Sequence, residues 1–205
     1  MKKIVVLFFF SSSFIFGQKF SEAEISLITK GDIETALPVF QTSDSLQHQV
    51  LLSKSIDANP KDKLTKILVN RMKLSLLGTD GGVGIAAPQV GINRNIVWAK
   101  RFDKADSVLE YFINPKILWR SEILNLGPEG DLSIEVFRDN FYRSAVIQLE
   151  YFDLDGKKHT EIVEGFTAII LQHEIDHLSG ILISDRIGDQ NLKTFEKAEF
   201  YREIR

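Results

Sequence analysis

The chain has 205 residues, of which 44% are hydrophobic, and these values predict one globular domain of ordinary size with a single core. Its formal net charge of −3, without a block of like charges, excludes the basic surface that is typical of nucleic-acid-binding proteins. It contains no cysteine, which excludes disulfides, thiolate nucleophiles and cysteine-based zinc sites, so a metal site would have to use His, Asp, Glu or backbone oxygen.

The first 17 residues have the layout of a secretory signal peptide. Two lysines precede a mostly apolar run from Ile4 to Phe16, and Gly17 supplies a small residue at the expected cleavage site. The run is shorter than the roughly 20 residues that a membrane span needs. We therefore expect an exported protein, periplasmic or secreted, whose mature form is a single domain of residues 18–205 without stable membrane insertion. A retained membrane anchor is the alternative.

The N-terminal half of this domain predicts helices, then a loop and two strands. A weak helical pattern covers residues 20–37, and LPVFQTSDSLQ predicts an irregular, extended segment. KDKLTKILVNRMKLSLLG is a clear amphipathic helix that ends at Gly78. TDGGVGIAAPQVG predicts a glycine-rich loop, and the stretches NIVWAK and VLEYFINPKIL predict strands.

The C-terminal half predicts a hairpin followed by two helices. AVIQLEYFDLDGKKHTEIVEG alternates in polarity, and Asp155-Gly156 is a strong signal for the hairpin turn. FTAIILQHEIDHLSG is apolar at helical spacing, with Gly180 as a C-terminal cap. QNLKTFEKAEFYREI predicts a last amphipathic helix. Strands followed by a buried helix favour an α+β fold.

The stretch HEIDH, His173 to His177, is an HExxH motif on the predicted apolar helix. Side chains four residues apart lie on one helix face, so the two histidines can hold one metal ion, and Glu174 can take a proton from water at the open coordination position. Burial of two imidazoles and a carboxylate without partners would cost several kcal/mol, which favours a metal site over a chance occurrence. His48 and His159 have no such neighbours in the sequence.

A catalytic metal site usually needs a third protein ligand. Asp131, in the stretch PEGDLSIE, is one candidate, although an acidic residue in a turn or a cap would explain it as well. Glu196 and Glu199, on the predicted last helix, are the other candidates.

Three stretches occur in the order and spacing of peptide deformylases: GVGIAAPQVG, EGDLS and QHEIDHLSG. The chain resembles this family from about Pro38 to about Ile187. The resemblance implies an α+β fold whose antiparallel sheets surround a helix with HExxH, and removal of the formyl group from N-formylmethionyl peptides. It also implies a metal held by two His and one Cys, at the positions of His173, His177 and Asp131. Asp131 therefore replaces a cysteine ligand.

The resemblance also implies roles for the residues around the metal. Gln89 and the backbone N–H of Leu132 would donate to the oxyanion, while Glu174 transfers the proton. Glu135 stands where the family usually has a proline, and the spacing to an arginine is kept. The positions expected to contact substrate are Val83, Gly84, Gly130, Arg138, Phe166 and Ile169, of which Phe166 and Ile169 could equally be core residues.

A carboxylate ligand at Asp131 determines which metal ions are expected, and it suits an oxidising compartment. Two His and one Asp suit one divalent ion, Zn²⁺ or Fe²⁺, with Ni²⁺ as a further candidate. Aspartate resists the oxidation that would threaten a thiolate in an oxidising compartment. The expected partner is a short N-formyl or N-acyl peptide. Two alternatives stay open: a zincin-like peptidase that uses Glu196 or Glu199 as third ligand, and a non-catalytic peptide-binding module.

Overall fold

The computed structural model describes residues 18–187 and 202–203. Four α-helices and eight strands lie in these ranges. The helices are α1 Glu22–Thr29, α2 Ser45–Leu51, α3 Lys63–Leu77 and α4 Gly165–Leu178. The strands are β1 Gly84–Ala86, β2 Ile96–Lys100, β3 Leu109–Arg120, β4 Leu124–Asp131, β5 Ile134–Ser144, β6 Val146–Phe152, β7 Lys158–Glu164 and β8 Arg202–Glu203.

The strands form two sheets. The larger sheet is antiparallel with the order β1-β2-β3-β6-β7. The smaller sheet has the order β5-β4-β8, in which β4 pairs antiparallel with β5 and parallel with β8. Because neighbouring strands of the chain pair directly in each sheet, short hairpins make most of the connections.

Helix α4 lies in the middle of the molecule and packs against β1 and β2. Most of its residues are buried, which explains why its sequence is apolar nearly all round rather than on one stripe. Ala168 and Leu171 of α4 share a core with Val97 and Phe112 of the larger sheet. A second core lies between α3 and that sheet, where Leu68 and Met72 are fully buried.

Local sequence signals predicted several of these elements correctly. Helix α3 ends at its C-cap Gly78, as predicted, and Asp62 caps its N-terminus. The β6–β7 hairpin turns at Gly156, whose φ of 72° is the left-handed conformation that glycine tolerates. Gly180, with φ of 70°, follows the C-cap of α4. The α+β class is confirmed, and the sheets are antiparallel apart from the β4–β8 pair.

Other expectations were wrong. The segment predicted as irregular ends in the first turn of α2, because the Asp44 side chain accepts the N–H groups of Leu46 and Gln47 and so caps a short helix. Part of the glycine-rich loop forms β1 and a 3₁₀ turn, Ala87–Val90. Residues 202–203 of the predicted last helix are a strand, because they pair with β4; the rest of that prediction lies outside the described residues.

Candidate metal centre and substrate cleft

Helix α4 places His173, Glu174 and His177 in the interior. Their residue exposures are 9%, 4% and 1%. The two imidazole Nε2 atoms lie 3.3 Å apart, as one turn of helix predicts. Such a close approach of two ring nitrogens is expected when the lone pairs of both point to one shared cation.

Asp131 lies at the end of β4, opposite the two histidines. Its Oδ1 accepts the Ser133 N–H at 2.8 Å and the Gln89 side-chain amide at 3.1 Å. Its Oδ2 lies 3.5 Å from His177 Nε2 and accepts no hydrogen bond. The turn function expected of an aspartate is thus performed by one oxygen, and the other oxygen faces the histidines.

The donor set fits a divalent metal ion. One ligand atom from each of Asp131, His173 and His177 lies within 4.8 Å of the others. Asp131 Oδ2 is buried and accepts no hydrogen bond, although buried carboxylate oxygens normally have partners. One carboxylate and two imidazoles are ligands that Zn²⁺ and Fe²⁺ accept in proteins. These three residues would therefore hold the ion.

A network behind His173 was missed by sequence reasoning. Glu129 accepts from His173 Nδ1 at 3.0 Å, which leaves the lone pair of Nε2 directed at the candidate site. Arg143 donates to both Glu129 oxygens, at 2.8 and 2.9 Å, and to Asp176 at 2.6 Å. The EGDLS motif contained Glu129, but Arg143 is distant in sequence and only strand pairing brings it close.

Charge and burial shift the pKa values of these groups. Burial opposes ionisation of Glu129, but hydrogen bonds from His173 and Arg143 outweigh it and lower its pKa to about 2. Burial also opposes protonation of His173, yet Glu129 and the neighbouring carboxylates raise its pKa to about 9. Burial lowers the pKa of His177 to about 4. Glu129 is therefore an ionised acceptor that fixes the orientation of the His173 ring.

Glu174 lies against the glycine-rich segment. Burial raises the pKa of its carboxyl to about 8, and its Oε2 has no hydrogen-bond partner. A Cβ added to Gly84 would lie 2.8 Å from both Glu174 Cδ and Ile170 Cγ2. Gly84 is therefore required by the close approach of Glu174, as well as by any approach of substrate.

Gln89 is held in one orientation. It lies in the 3₁₀ turn Ala87–Val90, and its Oε1 accepts the Ala86 N–H at 2.9 Å. The amide nitrogen consequently points toward Asp131 and Ser133, at 3.1 and 3.3 Å. The side-chain donor expected near the reacting carbonyl is thus directed into the site.

A cleft of about 400 Å³ opens beside these residues. All twelve predicted site residues except His177 line it. The lining residues from the prediction are Val83, Gly84, Gln89, Gly130, Asp131, Leu132, Arg138, Phe166, Ile169, His173 and Glu174. Phe166 is 37% exposed and Ile169 only 3% exposed, so Ile169 belongs to both the core and the cleft wall.

The remaining candidates lie elsewhere. Glu196 and Glu199 are outside the described residues. His159 lies on β7, where its ring stacks on Tyr151 and Nε2 is 2.7 Å from Asp153 Oδ2. His48 belongs to the last turn of α2.

Comparison with known proteins places this arrangement in a family. The model of the family described as polypeptide deformylase matches residues 42–193. The chain belongs to the peptide deformylase family. A peptide deformylase of Methylocella silvestris is 40% identical over 127 residues, 57% of this chain and 64% of that protein. One from Phenylobacterium zucineum is 32% identical over 155 residues, 73% of this chain and 91% of that protein.

Solved peptide deformylases have the same fold. The Met-Ala-Ser-bound enzyme of Acinetobacter baumannii is 31% identical, with a TM-score of 0.65 over 75% of this chain and 99% of that chain. The enzyme of Thermotoga maritima is 31% identical, with a TM-score of 0.66 over 73% of this chain and 96% of that chain. Peptide deformylases are metal-dependent hydrolases that remove formyl groups from N-formylmethionyl peptides, and these matches support that activity here.

Against the family pattern, this deformylase differs at two positions in one hairpin. By the resemblance of the EGDLS stretch, Asp131 would stand where the family has a cysteine ligand, and Glu135 where it usually has a proline. Asp131 Oδ2 lies 3.5 Å from His177 Nε2, whereas Glu135 lies on β5 and is not among the residues that line the cleft. Of the two positions, only Asp131 belongs to the candidate metal site.

Proposed function

We propose that this chain hydrolyses the formamide bond of N-formylmethionyl peptides with one divalent ion held by Asp131, His173 and His177. The observation that supports this most directly is the convergence of three ligand atoms within 4.8 Å beside the unpaired carboxylate oxygen of Glu174. When bound, such an ion acts as a Lewis acid that polarises a carbonyl and lowers the pKa of water.

Glu174 transfers the proton. Its carboxylate oxygen Oε2 is buried at the cleft wall without a partner, so it is free to accept a proton from the attacking water and return it to the leaving amine. A carboxyl group whose pKa burial has raised toward neutrality is suited to both steps.

Gln89 and Leu132 stabilise the developing negative charge. The Gln89 amide is pre-oriented by the Ala86 N–H, so its donor group needs little reorganisation during the reaction. The Leu132 backbone N–H is the second donor. Gln89 also holds Asp131 Oδ1, so this amide links the ligand carboxylate with the reacting carbonyl.

The cleft walls hold the peptide. Val83, Gly84 and Gly130 offer backbone along one path, as a neighbouring strand would. Phe166 and Ile169 form the apolar wall for the methionine side chain, and Arg138 offers an exposed positive charge. The tripeptide Met-Ala-Ser bound to the Acinetobacter baumannii enzyme supports a short peptide as the occupant.

The proposed export of the chain gives a reason for the carboxylate ligand Asp131. The signal-like residues 1–17 support export and a mature domain of residues 18–205, and the cysteine-free sequence suits an oxidising compartment. Asp131 then replaces a thiolate that oxidation would inactivate. The part of the chain that the structure describes contains no helix that is both long and apolar enough to span a bilayer. N-terminal sequencing of the protein recovered from a cell fractionation tests the cleavage after Gly17.

One experiment tests the proposed activity. The chain from Gln18 is purified, its bound Zn, Fe and Ni are measured, and formate release from formyl-Met peptides is assayed. Bound metal with formate release, both lost in Asp131→Ala and both kept in Asp131→Cys, is the expected result. Metal retained by Asp131→Ala would support Glu196 or Glu199 as third ligand instead. Metal bound without formate release from any peptide would indicate a peptide-binding module.

A further inference from the structure

Residues 40–42, which precede helix α2, bond to both parts of the chain that carry the proposed oxyanion donors. The Phe40 N–H donates to the carbonyl oxygen of Gln89, in the 3₁₀ turn, at 2.8 Å. The Thr42 N–H donates to the carbonyl oxygen of Ser133, in the turn between β4 and β5, at 2.9 Å. The segment therefore joins two residues that are 44 positions apart in the sequence.

Gln41, between these two residues, reaches the β4–β5 turn with its side chain. Its Nε2 donates to the Leu132 carbonyl oxygen at 2.9 Å and lies 3.4 Å from the Val39 carbonyl oxygen. Its backbone N–H donates to Gln47 Oε1 on α2 at 2.7 Å. The backbone of Gln41 is thus held by the helix, while its side-chain amide is directed at Leu132.

The peptide unit between Leu132 and Ser133 is held at both ends. Gln41 donates to its carbonyl oxygen, and its N–H donates to Asp131 Oδ1 at 2.8 Å. A peptide unit is planar, so bonds at its two ends fix its orientation, and it can rotate only through the backbone angles that flank it. One of these angles, ψ of Leu132, adjoins the unit whose N–H is the proposed second oxyanion donor. The orientation of the held unit therefore constrains that donor.

The contact between this segment and the turn does not depend on the Gln41 side chain. Val39 and Leu132 both pack against the core between α3 and the larger sheet. The backbone bonds of Phe40 and Thr42 join the same parts of the chain. The Gln41 amide therefore adds a fixed orientation to a contact that packing and backbone bonds already maintain.

We propose that Gln41 is a positioning residue, which orients the Leu132 backbone donor toward the oxyanion beside Gln89. This inference rests on the proposed deformylase function and adds to it a residue that does not line the cleft. Donors stabilise an oxyanion because they are oriented before the reaction, and removal of one such donor lowers kcat by about 10²- to 10³-fold. Gln41 orients a donor without being one, so its loss should lower kcat by a smaller factor, about three- to thirtyfold. KM should change by less than about twofold, since the weakened interaction is made in the transition state.

The test compares Gln41→Met with the matched control Asn93→Leu. Methionine keeps the length of the side chain but cannot donate to Leu132. Asn93→Leu removes an amide that donates to the carbonyl oxygens of Val50 and Ser53, at 2.9 and 3.1 Å, and does not line the cleft. Both variants lose one neutral amide donor, so their melting temperatures should fall by similar amounts. In formate release from a formyl-Met tripeptide, only Gln41→Met should show the lower kcat, with bound metal unchanged in both variants.

The positioning role would be overturned by an unchanged kcat or a loss of bound metal in Gln41→Met, by an equal fall of kcat in both variants, or by a rise in KM at constant kcat. If the wild type released no formate, the proposed function would fail, and amide hydrogen exchange would decide the role of Gln41 separately. The Ser133 N–H belongs to the held peptide unit, so exchange in residues 129–134 should be faster in Gln41→Met than in the wild type and in Asn93→Leu. Equal exchange in Gln41→Met and the wild type would overturn the inference.

Discussion

The molecule buries charge in two clusters that are built in opposite ways. In the first, Arg101 is 1% exposed and donates to three carboxylates, those of Asp103, Glu110 and Glu161, at 2.7 to 2.8 Å. In the second, around Asp131 and the two histidines of α4, buried polar atoms lack partners. The Arg101 cluster is complete with the atoms of the chain, and the cluster around Asp131 is not.

This difference separates a structural role from a functional one. Every donor of a buried guanidinium needs an acceptor, and the Arg101 cluster supplies them from β3, β7 and the turn after β2. A buried carboxylate oxygen without a donor costs free energy unless a ligand satisfies it. Asp131 Oδ2 and Glu174 Oε2 are such atoms, so the lack of hydrogen-bond partners, rather than burial of charge, distinguishes the candidate site from the Arg101 cluster.

The largest expected effect is the loss of proton transfer by Glu174 in the incomplete cluster, the one around Asp131 and the two histidines of α4. Glu174→Gln keeps the shape of the side chain but removes its basicity, so kcat for formate release should fall by about 10²- to 10⁴-fold. Bound metal, measured by elemental analysis, should stay unchanged because Glu174 is not among the candidate ligands.

The matched control makes the same substitution in the complete cluster. Glu161→Gln should leave kcat unchanged, since Glu161 contacts Arg101 and not the cleft. Equal kcat values for Glu174→Gln and the wild type would show that Glu174 does not transfer the proton. Its unpaired oxygen would then not indicate a catalytic role.

The next effect concerns stability at the complete cluster. Arg101→Met leaves three neighbouring carboxylates without their shared partner, so the free energy of unfolding in urea should fall by about 3 kcal/mol, at the lower end for a broken buried pair because the carboxylates are partly exposed. Lys104→Met, which removes a 38% exposed partner of Glu110, should cost less than about 1 kcal/mol. Equal losses in both variants would show that burial does not distinguish these pairs.

Metal removal should affect only the incomplete cluster. An ion at 100 times its dissociation constant stabilises the folded protein by about 2.7 kcal/mol, so a chelator should lower the melting temperature of the wild type. Asp131→Asn should melt at the same temperature with and without the chelator, while Asp131→Cys should recover the response. A wild type whose melting temperature ignores both chelator and added Zn²⁺ would argue against a metal centre at this cluster.

The sequence predicted the candidate metal ligands but not the network behind them. HExxH is a local pattern, and helical geometry alone brings His173 and His177 together. Asp131 was predicted as a ligand from its position in the EGDLS motif. Arg143 reaches Glu129 because β4 pairs with β5, and Arg143 in turn donates to Asp176 on α4. No local pattern encodes such contacts between distant residues.

The fold shows the same division between local and distant information. Helix α3 and the β6–β7 hairpin have strong local signals in their caps, their turn and their polarity pattern. Strand β4, LNLGPEGD, contains two glycines and a proline, which are poor strand formers, and it pairs with β5 through a turn without an Asn-Gly or Asp-Gly signal. Pairing and burial in the folded molecule therefore override its local propensity.

The smallest expected effect is a pH dependence of stability at the Arg101 cluster. Burial opposes ionisation of Asp103 and Glu161, but hydrogen bonds and attraction from Arg101 outweigh it and lower both pKa values. Carboxyls with a lowered folded-state pKa contribute stability above their unfolded pKa of about 4, and lose it as pH falls toward the folded value. The difference in unfolding free energy between wild type and Arg101→Met should therefore be constant from pH 7 to about pH 5 and should narrow below about pH 4. Urea unfolding at each pH measures it, and a difference that stays constant down to about pH 3 would show that these carboxylates do not titrate through Arg101.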